Sequence, residues 1–213
     1  MRIAIIGANG GTGIQVVERA AARGHDVIAV VRSPEKLDGL TTTPLTIAQA
    51  DVTDRGSLVS ALQGCDAVVF AVGPASTSAP TTLREMGIRN TVEAAREAGV
   101  PGARVIAVSA SGISTAGDDP FTRFVLKPIV QRVLREPFRD LRAAELVLTN
   151  SESAWTIVRP PRLTDKPRSG HYRSREQKNV TGGLSISRGD LADAVVDLIE
   201  NPASIRTIVS VAS

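Results

Sequence analysis

Gly7, Gly10 and Gly13 come directly after the apolar run Arg2–Ile6, and a strand that breaks into glycines before a helix can hold a dinucleotide pyrophosphate. Glycine allows a tight turn, a close approach of the backbone to phosphate oxygens and close packing of helix on strand. Amides at the helix N-terminus then face the negative charge. Asn9, Gly11 and Thr12 complete the turn. The spacing is GxxGxxG rather than GxGxxG, and a glycine triplet alone also serves structural turns. The residues after the turn strengthen the phosphate reading. Ile14, Val17 and Ala21, with Val16 and Ala20 beside them, recur at helical spacing; Gly24 ends the pattern, and Asp26–Val31 reads as a second strand.

The next reactive side chains come after that strand. An acid here accepts hydrogen bonds from the ribose of NAD, whereas this chain has Arg32 and Ser33, with Lys36 close behind. The planar fork of Arg32 can pair with a 2′-phosphate and Ser33 can add a donor, so NADP(H) is expected in preference to NAD(H). Stacking of Arg32 on adenine, or simple solvation, is the competing reading. Asp51 and Val52 close a third strand, where a carboxylate can accept from the adenine amino group and an apolar side chain can flank the ring. Helix capping by Asp51 or Asp54 competes with that role.

These residues need a scaffold, and the pattern supplies one. Strand-like runs at Leu45–Ala50, Ala67–Val72, Ala103–Ser109 and Trp155–Val158 alternate with helical patterns near Ser57–Leu62, Thr81–Ala98 and Leu141–Asn150. The strands are continuously apolar, which predicts a parallel sheet covered by helices on both faces. The expectation is one α/β domain over 1–213. Within it, about 159–190 forms a small C-terminal substrate-side region, with a helix near Asp190–Glu200 and a last strand at Ile208–Val211 beyond it. Phe121–Phe138 reads as an amphipathic insertion packed on the domain's own core through Phe124, Val125, Ile129, Val133 and Leu134, with a partner-binding or membrane helix as the competing reading.

Composition narrows the partners. The 213 residues carry 25 Lys plus Arg against 22 Asp plus Glu, a net charge of +3, which gives no reason to expect nucleic acid. With one cysteine, Cys65, and two distant histidines, His25 and His171, no metal site is expected. No apolar stretch approaches the ~20 residues of a membrane span, so neither a signal peptide nor a membrane partner is expected, and the location expected is cytoplasmic. The sequon at Asn179–Thr181 is then a chance match. Oligomeric state is not legible.

The GANGGTG turn, Arg32, Asp51–Asp54, Ala71–Gly73, Val108–Gly112 and Trp155–Pro161 together resemble the atypical short-chain dehydrogenase/reductases over nearly the whole chain. The similarity is to the NAD(P)H-binding group that includes flavin and biliverdin-IXβ reductases and NmrA-like proteins, some of them non-catalytic redox sensors. The resemblance implies a doubly wound Rossmann sheet of strand order 3-2-1-4-5-6. It also implies that Ala71, Val72 and Gly73 line the cofactor, that Pro160 and Pro161 shape the nicotinamide pocket, and that Ser109 stands at the family's catalytic serine. One departure matters. Aligned on Glu145, the family's Tyr and Lys positions hold Pro137 and Leu141, and neither can move a proton.

Hydride transfer to a flavin needs aligned rings more than a protein acid, because solvent can protonate the product. The expected function is therefore an NADPH-dependent reductase of a flavin- or tetrapyrrole-like acceptor. A non-catalytic NADP(H) sensor is the alternative, and a reductase or epimerase of small carbonyl compounds a further one. An anionic acceptor would suit Arg159, Arg162, Lys166, Arg168, Arg173, Arg175 and Lys178, which a solvated basic loop explains equally well. His171 and Tyr172 are minor candidates for substrate contact.

Overall fold

The computed structural model describes residues 1–37, 45–73 and 82–213; the Lys36 side chain and Thr81 lie outside the described part. In chain order the elements are β1 (Arg2–Ile6), α1 (Gly11–Ala22), β2 (Asp26–Val31), β3 (Leu45–Gln49), α2 (Arg55–Leu62), β4 (Ala67–Phe70), α3 (Leu83–Glu97) and β5 (Val105–Val108). A π turn (Thr122–Leu126) then leads into α4 (Lys127–Val133) and α5 (Arg135–Thr149). The chain continues through β6 (Trp155–Arg159), β7 (Arg162–Thr164), β8 (Arg173–Glu176), β9 (Ser185–Ser187), α6 (Arg188–Glu200) and β10 (Thr207–Ala212).

The main sheet runs β3-β2-β1-β4-β5-β6-β10-β8. All its pairings are parallel except β10 with β8. The first six strands thus stand in the order 3-2-1-4-5-6 that the resemblance implies. Side chains alternate across each strand. Ile3 and Ile5 therefore join Val16, Val17, Leu191 and Val195 beneath α1 and α6, while Ala4 and Ile6 join Leu58, Ile88 and Leu148 beneath α2, α3 and α5. These residues are almost wholly buried, and each large aliphatic side chain contributes roughly 1.5–3 kcal/mol by leaving water.

Four features differ from the sequence pattern. Strand β3 is an edge, so Ile47 is exposed and helices do not cover both faces there. Strand β8 has no apolar residue; backbone pairing to β10 makes it a strand. Helix α5 begins at Arg135 rather than Leu141, because Pro137 sits in the first turn, where its missing amide would have no helical acceptor anyway. In the Phe121–Phe138 insertion, Phe124, Val125, Ile129 and Val133 point outward instead of packing on the core; Phe138, Leu134 and Val130 pack with Ile113.

Among the described residues no helix is long and apolar enough to cross a membrane. Asn179 is buried, donating through Nδ2 to Ser114 O and Asp118 Oδ1 and accepting from Ser210, so the sequon asparagine is a structural hub.

Candidate functional site

The sheet reverses direction of winding between β1 and β4, and the crevice outside the carboxyl ends of such strands is where open α/β sheets bind ligands. Gly7 comes after β1 with φ of +85°, a conformation costly for any residue with a side chain. A Cβ on Gly13 would stand 2.1 Å from the Gly7 oxygen, so only glycine lets α1 start against this turn. Gly10 is the N-cap of α1 and offers no capping side chain, which leaves the amides of the first turn open to an anion.

Neighbouring strands place the other candidates along the same edge. Ala71 donates its amide to Ile6 O at 2.9 Å, so Ala71, Val72 and Gly73 lie beside the glycine turn. Ser109 donates its amide to Val158 O and Ser111 to Pro160 O, both at 2.8 Å, which joins Ser109 to Pro160 and Pro161. Arg32, Gly7, Ala71, Ser109 and Pro160 stand just past β2, β1, β4, β5 and β6, five adjacent strands spanning about 19 Å at the usual interstrand spacing. An extended dinucleotide can lie across them.

Individual roles are sharper than spacing could tell. Arg32 is exposed at the rim, and Ser33 is half-buried. Asp51 Oδ1 accepts from the amide and hydroxyl of Thr53, which, with the nearby Arg32 charge, hold its carboxyl below the usual range. That oxygen is engaged locally. Asp54, by contrast, is the true cap of α2, accepting from Gly56 N. Val52 is held by Asn90, whose Nδ2 donates to its carbonyl at 2.8 Å.

The Ser109 Oγ is buried and has no hydrogen-bond partner among the described residues. Around it stand Phe70, Arg84, Leu141 and Glu145. Pro137 and Leu141, where the resemblance expects a Tyr and a Lys, are both buried. Beside them is a brace: Asp140 accepts from the amides of Arg84 and Glu85 at 3.2 and 3.0 Å, and Arg84 reaches the carbonyls of Val72 and Pro137. Burial lowers the Arg84 pKa, and Asp140 opposes that shift.

Several expected contacts fall elsewhere. The Tyr172 hydroxyl donates to Asp197, close to Arg23 at the far end of α1. Twelve helical residues separate that end from the glycine turn, about 18 Å. Tyr172 therefore does not reach the crevice. The basic set is likewise mostly engaged: Arg159 forks onto Glu145 at 2.9 and 2.5 Å, Arg168 pairs with Asp193, and Arg173 and Arg175 bind carbonyls. Arg162 and Lys166 are exposed, with their side chains open to solvent.

Two residues escaped the sequence pattern. Arg188 packs on Gly11, with its Nε 2.9 Å from where a Cβ on that glycine would stand. Lys127 is buried, paired with Asp118 at 2.5 Å and donating to the carbonyls of Ser111 and Ser114, which fixes the turn after Ser109. Neither lies near the glycine turn or Ser109 along the chain closely enough for spacing to reveal it.

An open glycine turn at the winding reversal, with candidate ligands at the ends of five adjacent strands, defines a Rossmann protein of the dinucleotide-binding class. The chain belongs to the NAD(P)H-binding family, whose profile matches residues 7–202. It is 27% identical over 214 residues to the uncharacterised protein YwnB of Bacillus subtilis (strain 168), covering 95% of this chain and 93% of YwnB. Over 100 residues it is 35% identical to quinone oxidoreductase 2 of Escherichia coli (strain K12), spanning 46% of this chain but only 33% of that enzyme. Its fold is similar to that of ChuY, an anaerobillin reductase from Escherichia coli O157:H7, with a TM-score of 0.77 and 23% identity over 100% of this chain and 97% of ChuY. Oxidoreductases thus stand among its relatives.

Proposed function

We propose that this protein is an NADPH-dependent oxidoreductase that passes hydride to a planar acceptor of flavin or tetrapyrrole type, with no protein group donating the proton. The observation that carries the reading is the buried pair Pro137 and Leu141 where a Tyr/Lys dyad would stand, beside a Ser109 hydroxyl that has no partner among the described residues. The names of two relatives, a quinone oxidoreductase and an anaerobillin reductase, support a conjugated acceptor.

In this reading the protein is one domain, with the acceptor side built from about 159–190. Gly7, Asn9, Gly10, Gly11, Thr12 and Gly13 hold the pyrophosphate. Arg32 and Ser33 take the 2′-phosphate, while Asp51 and Val52 border the adenine. Ala71, Val72 and Gly73 line the cofactor, and Pro160 and Pro161 wall its nicotinamide end. The bound cofactor supplies the hydride, two electrons with one hydrogen. Ser109 orients the nicotinamide amide or the acceptor, and water delivers the balancing proton to the acceptor. Arg162 and Lys166 suit an anionic substituent on that acceptor. A single buried thiol, Cys65, fits a reducing, cytoplasmic setting.

The test mixes the protein with NADPH and a panel of flavins, tetrapyrroles and quinones while cofactor absorbance is tracked. Oxidation with at least one flavin or tetrapyrrole is expected. Tight NADPH binding with every acceptor left unreduced would reject the enzyme and select a sensor of the cofactor's redox state.

A further inference from the structure

The π turn and α4 have two unlike faces. Inward, Lys127 grips the Ser111 and Ser114 carbonyls and Gln131 donates to Gly112 O at 2.8 Å, so polar contacts seat the segment. Outward, Phe121, Phe124, Val125, Ile129 and Val133 are each between 46 and 74% exposed. This inverts the usual helix, whose apolar stripe faces the core.

The outward stripe is continuous. Phe121, Val125, Ile129 and Val133 recur every fourth residue, and four steps of an α-helix overshoot one turn by about 40°. A single π turn, wider than an α turn, takes up part of that overshoot and keeps the four side chains together. The same segment and the start of α5 carry four exposed arginines, Arg123, Arg132, Arg135 and Arg139, against the half-buried acids Asp119 and Glu136. The Arg123 guanidinium lies over the Phe124 ring, 5.4 Å from its centroid.

The charge pattern selects the occupant. In a two-fold contact between copies the patch meets its own image, and its four exposed arginines outnumber the two half-buried acids, Asp119 and Glu136, that could answer them. Cationic side chains around projecting phenylalanine and aliphatic side chains match the boundary of an anionic bilayer, where phosphates meet acyl chains. We propose that residues 121–139 lie in the surface of an anionic membrane, with Phe121, Phe124, Ile129 and Val133 in the acyl boundary and the arginines on lipid phosphates. This is surface attachment, not a span, and it does not rest on the reductase reading.

Co-sedimentation of the full chain with vesicles tests it. Pelleting is expected with mixed phosphatidylcholine–phosphatidylglycerol vesicles, not with phosphatidylcholine alone, and should be reversed by high salt. Phe124→Ser/Ile129→Ser and, separately, Arg132→Glu/Arg135→Glu should each weaken binding roughly tenfold or more. All four side chains are exposed, and circular dichroism should show both variants folded. Equal pelleting with both lipids, no pelleting at low salt, or binding undiminished in both folded variants would overturn the proposal. A dimer that Phe124→Ser/Ile129→Ser converts to monomer, with no vesicle binding by the parent protein, would overturn it in favour of self-association.

Discussion

Arg188, the first residue of α6, holds its Nε 2.9 Å from the point a Cβ on Gly11 would occupy, although 177 residues separate the two. A guanidinium thus stands over the first turn of α1, beside amides that are open to an anion. Its other contact is Asp165, an exposed carboxylate. Arg188→Ala should weaken NADPH binding about 10-fold or more, the size of one charge-assisted hydrogen bond. Asp165→Ala, which frees the guanidinium, should leave affinity equal or raise it. Fluorescence titration decides both, and an unaffected Arg188→Ala would remove Arg188 from the phosphate site.

In the proposed reading Arg32 sets the cofactor preference. It stands exposed at the rim after β2, where no acid would repel a 2′-phosphate. Arg32→Ala should cost NADPH roughly 10- to 100-fold in affinity and NADH far less. Equal binding of both cofactors by the parent protein would contradict the assignment.

Gly10 and Gly13 should fail differently. At Gly10 a Cβ meets only the Gly7 oxygen at 3.2 Å, so Gly10→Val should fold and lose the cofactor because its branches fill the pyrophosphate approach. At Gly13 the same oxygen is 2.1 Å away. Gly13→Ala should therefore push α1 off β1 and lower stability by roughly 1–3 kcal/mol or more. Urea unfolding alongside NADPH titration separates the two outcomes.

Tyr172→Phe should leave NADPH oxidation nearly unchanged, since the hydroxyl binds Asp197 away from the crevice. Its effect belongs to alkaline stability. Burial and Asp197 raise the Tyr172 pKa, so the folded protein keeps a proton that the unfolded chain releases near the ordinary value of 10.0. The contribution is complete below that pH and falls away above it. Denaturation curves across alkaline pH should show a shallower decline in Tyr172→Phe. A rate loss of roughly 10²- to 10⁴-fold would instead mark Tyr172 as a general acid.

Cys65 should resist thiol reagents in the native state. Burial pushes its thiol up to about 11, so little thiolate forms at neutral pH. This stabilisation, too, is present below the ordinary thiol range and is lost as pH rises through about 11. Rapid labelling without denaturant would show that the Cys65 site opens.

The candidate site is legible in the sequence where chemistry is local. Gly7–Gly13, Arg32 and the apolar strands announce themselves within a few residues, and five adjacent parallel strands then bring their ends together. Arg188 is not legible, because only the packing of α6 beside α1 brings it to Gly11. Strand β8 is hidden because Arg173–Glu176 are drawn into the sheet by the backbone of β10, with no apolar alternation to betray it. The outward ridge of α4 defeats the pattern for the converse reason. Its spacing is that of a core-facing helix, and only the inward polar contacts of Lys127 and Gln131 reveal which side faces in.

The brace of Arg84 and Asp140 bears on any attempt to convert this scaffold into a carbonyl reductase. Restoring a phenol at Pro137 and an ammonium at Leu141 looks like two changes on one helix. Leu141, however, is a core side chain packed with Ile113 and Phe138, and a lysine there would carry an unpaired charge into that cluster. Pro137 is itself buried in the first turn of α5, beside the Arg84 that reaches its carbonyl and that of Val72, so a phenol there must displace packed neighbours. Retrofitting proton transfer would thus disturb core packing at both positions, which ties the absence of a phenol and an ammonium there to the architecture rather than to two interchangeable positions.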